Sequence, residues 1–122
     1  MGTLAADAVV LVRFPFSDLS RSKLRPAIVL AGAGRGDAVL CQVTSNSYGD
    51  GRAVAIATTD LAIGSLRVTS FARPGKIFTA NEAIISTTIG SLTPETLARV
   101  LDAVVLLLHP PSPHGTPPEA AS

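Results

Sequence analysis

Apolar residues fall in short runs separated by turn formers over most of the chain, then at helical spacing, and are nearly absent at the end. Ala8–Arg13 reads AVVLVR, a largely β-branched apolar run that predicts a buried strand. Phe14, Pro15 and Phe16 end it, because proline has no N–H for a ladder and falls at strand ends or edges; the two rings are placed to close a barrel mouth. Ala27–Leu30 and Ala38–Thr44 predict a second and third strand joined by a glycine-rich turn, Ala31–Asp37, which makes the first three strands an antiparallel meander. That turn is not a phosphate cradle, since neither Lys-Ser/Thr nor a helical pattern follows Gly36. Asn46–Arg52, NSYGDGR, is a polar connection of turn formers. Ala53–Ala57 resumes as a strand, and a less regular segment runs to Leu66. Thr69–Thr79 and Glu82–Ser91 predict two further strands, whose short link at Thr79-Ala80-Asn81 predicts antiparallel neighbours. The sheet then has about five to seven strands.

Thr93-Pro94-Glu95 is a helix start: threonine caps, proline suits the first helical position, and a first-turn glutamate complements the helix dipole. Leu97, Val100, Leu101, Val104, Val105 and Leu108 follow at helical spacing, so one face buries against the sheet. From His109 the chain reads HPPSPHGTPPEAAS, too poor in large apolar residues to offset its ordering entropy by burial. Residues 109–122 are therefore expected to be a disordered proline-rich tail; a ligand for a proline-reading module is the alternative. Residues 1–108 form one domain. Within it, Met1–Asp7 is a short leader whose Ala6-Asp7 suits an extended entry, because a left-handed turn at residue 6 is costly without glycine.

Composition narrows the core and the compartment. Hydrophobic residues make up 47% of the chain and aromatics only 4%, so Val, Ile, Leu and Ala must fill the interior. A formal charge of +1 supplies no long-range field, and any affinity for nucleic acid must come from a local patch. The single cysteine, Cys41, lies in an apolar run and forms no intrachain disulfide, which fits a reducing cytoplasm and a core role. No segment approaches the roughly 20 apolar residues that span a bilayer, so neither membrane insertion nor secretion is expected. His109 and His114 fall at or beyond the helix end, and no His, Cys or carboxylate cluster has ligand spacing; neither metal nor cofactor is expected.

The candidate chemistry lies at Arg13–Leu30, where Arg21, Lys23 and Arg25 crowd a loop that ends in Arg25-Pro26. Proline biases the preceding arginine toward extended backbone, which sets the guanidinium at a stiff loop-to-strand junction. Planar donors there match two phosphoryl oxygens and bind harder as charge develops on them.

The series VVLVRFPFSDLS, KLRPAIVL and LCQVTS resembles the opening of the PemK/MazF-type toxin endoribonucleases. Later landmarks agree in order: Thr59-Asp60-Leu61, Gly64-Ser65-Leu66, the stretch from Phe71 to Thr79, and Ile89-Gly90-Ser91-Leu92. The likeness covers about Asp7 to Leu108. It implies a mainly β, SH3-like antiparallel barrel of the PemK/CcdB type with a C-terminal α-helix. It also implies a cytoplasmic toxin that cuts single-stranded RNA by 2′-hydroxyl attack, without metal, as a homodimer silenced by a cognate antitoxin. Arg25 takes the catalytic role, paired with Thr44 on the following strand. Lys23, Ser45, Arg73, Lys76 and Ser17 are the implied RNA contacts. In some relatives an arginine in the position of Arg73 is followed two residues on by a catalytic aspartate; here that place is Gly75. Two other readings stay open: a barrel that inhibits a protein target such as a topoisomerase, and an RNA-binding barrel without catalysis.

Overall fold

A computed structural model describes residues 5–14 and 23–111 of the chain. Seven strands form one antiparallel sheet, curled into a half-barrel: β1 (Ala8–Phe14), β2 (Lys23–Gly34), β3 (Asp37–Thr44), β4 (Val54–Ile56), β5 (Leu61–Ile63), β6 (Ser70–Asn81) and β7 (Ile85–Leu92). The C-terminal helix α1 spans Pro94–Leu108. This is the barrel-like antiparallel class that the sequence led us to expect. Among the described residues no helix is long and apolar enough to cross a membrane.

The order across the sheet is β4-β6-β3-β2-β1-β7-β5, so the meander β1-β2-β3 is as anticipated. The link between β6 and β7 is not a hairpin, however. Glu82–Ile84 form a short 3-10 turn, and β7 crosses to the far side of β1, leaving β6 paired with β3 and β4. The turn that starts the crossover is fixed by Asn81, whose side-chain oxygen accepts the Ala83 N–H at 3.0 Å. A seventh strand, β5, lies in the segment read as irregular and pairs with β7 at the edge.

β2 is longer than Ala27–Leu30 at both ends, and the glycine-rich stretch shrinks to a turn at Arg35-Gly36. The glycines before it carry no side chain to bury, so that end of the strand is exposed and depends on its ladder to β3. At the N-terminus the left-handed residue is Asp7, with φ of 78°, rather than Ala6. Asp7 holds the turn between two strands: its N–H donates to Val29 O and its carbonyl accepts from Leu92 N–H.

Both faces of the central strands are buried. Val9, Ile28, Leu30, Cys41 and Val43 pack with Leu92, Val100 and Val104 under α1, while Val10, Val12, Ala27, Val29, Leu40 and Ala80 form a second cluster. Two apolar faces explain why β1, β2 and β3 read as unbroken hydrophobic runs. On α1 the buried stripe is Thr96, Val100 and Val104, flanked by half-buried Leu97 and Leu101. Val105 and Leu108, expected inside, are 60% and 67% exposed, because the face turned to the sheet runs through Thr96, Val100, Val104 and half-buried Leu107, beside Gly75 of β6.

Asp60 ties the helix to the sheet. One carboxylate oxygen accepts from the Ala57 N–H at 2.8 Å; the other accepts from the Thr96 hydroxyl at 3.2 Å and Arg99 Nη2 at 3.1 Å. The Thr93 N–H donates to the Asp60 carbonyl, and the Thr93 hydroxyl caps the helix by accepting from the Thr96 N–H at 3.2 Å. Arg99 is half exposed, and such a pair contributes about 0.2–1 kcal/mol, so the amide and hydroxyl bonds carry most of this junction. The Ala57 amide first, then Thr96 and Arg99, hold the Asp60 carboxyl below its ordinary value of 3.8. A depressed folded-state value stabilises the fold above the ordinary carboxylate range, and that stabilisation is lost as pH falls through the depressed value. Urea midpoints recorded from about pH 5 down to about pH 2 should fall less steeply for Asp60→Asn than for the wild type. Equal slopes would remove Asp60 from the acid limb.

Gly64, just after β5, meets Gly90 of β7. A Cβ at Gly64 would stand 2.5 Å from the Ile89 carbonyl oxygen, and one at Gly90 would strike the Ile63 carbonyl. Backbone atoms cannot swing aside as side chains do, so Gly90→Ala should cost about 1–3 kcal/mol, read as a lower urea midpoint with unchanged slope.

Candidate nucleic-acid interface

The cleft forms where β2 and β3 part. Their ladder runs to Ala27 opposite Gln42, next to Pro26, which has no N–H to extend it, while β2 stays paired with β1 as far as Lys23. Two residues beyond that pair, Arg25 on β2 and Thr44 at the end of β3 line the same cleft. Arg25 is not at a loop-to-strand junction as expected. It sits inside β2 opposite Val12, extended as Pro26 requires and exposed to solvent.

Two adjoining hollows open on these residues. One, of about 420 Å³, is lined by Leu24, Arg25, Pro26, Thr44, Ser45 and Tyr48 among others. The other, of about 250 Å³, shares Arg25, Thr44 and Tyr48 and adds Gln42, Arg73 and Lys76. Of the residues predicted from sequence, Arg25, Thr44, Ser45, Arg73 and Lys76 thus come together. Ser17 lies outside the described residues, as do Pro15 and Phe16. Lys23 opens β2 opposite Phe14, but its side chain and the Phe14 ring are also outside the description.

Arg73 and Lys76 reach the cleft through a bulge in β6. Cys41 pairs with Ile77 and Val43 with Ala72, so residues 73–76 stand opposite the single residue Gln42. Pro74, fully buried, suits a bulge because it cannot serve a regular ladder. The Cys41 thiol donates to the Arg73 carbonyl at 3.2 Å and pins the bulge from below. Burial pushes that thiol up to about 12, against a smaller opposing effect of the same hydrogen bond. Cys41 is a core residue that braces the site and holds no thiolate with which to attack.

The loop after β3 builds the other wall. Thr44 Oγ1 accepts the Asn46 N–H at 3.2 Å, which leaves the hydroxyl hydrogen to donate outward. Asn46 Oδ1 accepts the Tyr48 N–H at 2.8 Å, and Asp50 Oδ1 accepts the Arg52 N–H at 2.9 Å. Asp50 Oδ2 takes the Arg73 Nε–H at 3.2 Å, and the Tyr48 ring lies 5.5 Å from the same guanidinium. Arg73 is thus held along one edge and over one face. Its Nη groups remain to meet an anion.

Tyr48 and Asp50 were missed from sequence, although Tyr48 is the chain's single tyrosine, set among turn formers where no apolar side chain is needed. Nothing local pairs Asp50 with a residue beyond the next strand. Gly75 does not face this carboxylate: a Cβ there would lie 3.8 Å from Leu107 Cδ2, against the helix. The Arg52 amide first, and then Arg73, keep the Asp50 carboxyl below its ordinary 3.8. It is an anion that orients Arg73, not a base poised near neutrality.

The sequence model of the PemK-like, MazF-like toxins of type II toxin–antitoxin systems matches residues 6–108. The chain belongs to that family and is a toxin of the type II class. No curated protein sequence matches it significantly. Among solved structures it is similar to a mycobacterial endoribonuclease in complex with its cognate antitoxin, at 17% identity and a TM-score of 0.68, over 93% of this chain and 100% of that one. It is also similar to the MazE–MazF complex of Deinococcus radiodurans, at 21% identity and a TM-score of 0.69, over 86% of this chain and 95% of that one. The Mycobacterium tuberculosis toxin MazF-mt6 aligns at 15% identity and 0.64, over 83% and 95%. At these identities the likeness is one of fold.

The Asp50–Arg73 contact has a spectroscopic signature. Because the Asp50 carboxyl is depressed, the Arg73 Nε–H should stay protected from exchange at pH values below 3.8 and lose protection as pH falls further. In ¹H–¹⁵N spectra, the Arg73 Nε–H of Asp50→Ala should exchange faster than that of the wild type wherever Asp50 is ionised, and at the same rate once it is protonated.

Proposed function

We propose that this toxin is a metal-independent endoribonuclease that cleaves single-stranded RNA, mRNA in the cell, at a short sequence. The observation that carries the reading is that Arg25 and Thr44 line one cleft from adjacent strands, with Arg73 and Lys76 on its far wall. A phosphodiester laid across it meets three cations and a donating hydroxyl.

The chemistry follows from those groups. The 2′-hydroxyl oxygen attacks the adjacent phosphorus, the bond from phosphorus to the 5′ oxygen breaks, and a 2′,3′-cyclic phosphate remains. Arg25 and the Thr44 hydroxyl stabilise the charge that builds on the phosphoryl oxygens, and Arg73 and Lys76 hold the neighbouring backbone. The proton of the attacking hydroxyl leaves to water, and the departing 5′ oxygen takes one up. An arginine holds its proton too firmly to serve as an ordinary base, and Asp50 is already engaged on both oxygens, so alignment of the attacking oxygen contributes more than base strength. The toxin works in the cytoplasm as a homodimer, and its cognate antitoxin lays an acidic segment over the same cations.

Purified protein incubated with single-stranded RNA in EDTA should cut it, leave DNA of the same sequence whole, and lose at least about a hundredfold in rate on Arg25→Ala. Thr44→Val should lose less. Intact RNA with the wild type, or unimpaired cleavage by Arg25→Ala, would falsify this mechanism, and growth arrest with intact transcripts would point to a protein target.

A further inference from the structure

We propose that the Tyr48 ring is a stacking platform for a nucleobase of the bound strand, one nucleotide from the phosphate that Arg25 and Thr44 hold. This rests on the ribonuclease reading and adds a base subsite to it. Tyr48 is 66% exposed and lines both hollows, so its ring adds little to the core while bordering the phosphate site. Its backbone is left-handed, with φ of 55°, an unfavourable conformation for a bulky residue that is fixed here by the Asn46 side chain and by the Asp50 N–H on Ser47 O. Strain kept at an exposed aromatic whose ring meets the Arg73 guanidinium on the cleft and adds nothing to the core points to a position held for a ligand.

The chemistry of the surroundings selects the ligand. One side of the ring is backed by Arg73, itself clamped by Asp50, so the platform does not swing away when loaded. Unpaired bases stack on aromatic faces, and each base is tethered to a phosphate that Arg25, Arg73 or Lys76 can meet. An acidic peptide would use the cations but has no need of a flat ring.

The chain has one tyrosine and no tryptophan, so its tyrosine emission reports this ring alone. The probe is a mixed-sequence, dye-labelled 2′-O-methyl RNA, whose blocked 2′ oxygens cannot attack. Binding is followed by anisotropy and stacking by tyrosine emission with an unlabelled copy. We expect quenching that saturates with binding, a dissociation constant unchanged in Tyr48→Phe, and one raised about tenfold in Tyr48→Leu, with equal thermal stability. Binding with undiminished emission and no loss in Tyr48→Leu overturns the platform and leaves the ribonuclease reading standing. No binding, together with no cleavage of ordinary RNA, overturns both. Quenching by a poly-glutamate peptide but not by the RNA assigns the ring to a protein partner and overturns the proposal.

Discussion

The pairing of Ala27 with Gln42 is the contact on which the cleft depends. It is fixed by the core rather than by the polar groups it serves. Ile28 and Leu30 face one apolar cluster and Ala27 and Val29 the other, with Cys41, Val43, Ala38 and Leu40 answering from β3. A slip of one residue would leave one face underfilled and the other overfilled at once. Burying an aliphatic side chain contributes about 1.5–3 kcal/mol, and several act together here, while the loop hydrogen bonds contribute nearer 1 kcal/mol each. The core therefore sets the register, and Arg25 and Thr44 come to line one cleft as its by-product.

The second constraint is the bulge opposite Gln42. A regular β6 would spread Arg73 to Lys76 along the ladder; the bulge gathers them at one point and turns both cations to the hollow. Its supports are apolar or weakly polar: a buried proline that cannot pair and a buried thiol that caps the freed carbonyl. The polar partners come from elsewhere, since Asp50 arrives on the loop between β3 and β4. Arg73 thus takes its carboxylate from Asp50, and Gly75, where some relatives are expected to carry an aspartate, is left against Leu107. Cleft and core are joined through β3, which supplies Cys41 beneath the bulge and Thr44 at the mouth.

Much of this was legible in the residue pattern. Val9–Val12, Ala27–Leu30 and Ala38–Val43 announce themselves as strands because both their faces are apolar, and Thr93-Pro94-Glu95 announces a helix because capping is local chemistry. The β6–β7 hairpin was misread because a short link looks the same whether the next strand returns beside its predecessor or crosses the sheet. Val105 and Leu108 were misread because apolar spacing gives a broad face but not which part of its arc meets the sheet. The strand β5 escaped notice because it owes its place to two glycines that touch across sequence, Gly64 and Gly90.

By itself, then, the sequence determined six of the strands and the helix, which rest on backbone preference and apolar spacing over a few neighbours, while the order of its motifs carried the family likeness and pointed to Arg25, Thr44, Ser45, Arg73 and Lys76. Only the tertiary structure decided that Asp50 holds Arg73, that Tyr48 covers it, and that Arg25 lies within a strand and shares a cleft with Thr44. Those relations join residues far apart along the chain, and the packing that sets them is the sum of many weak contacts that no short stretch contains.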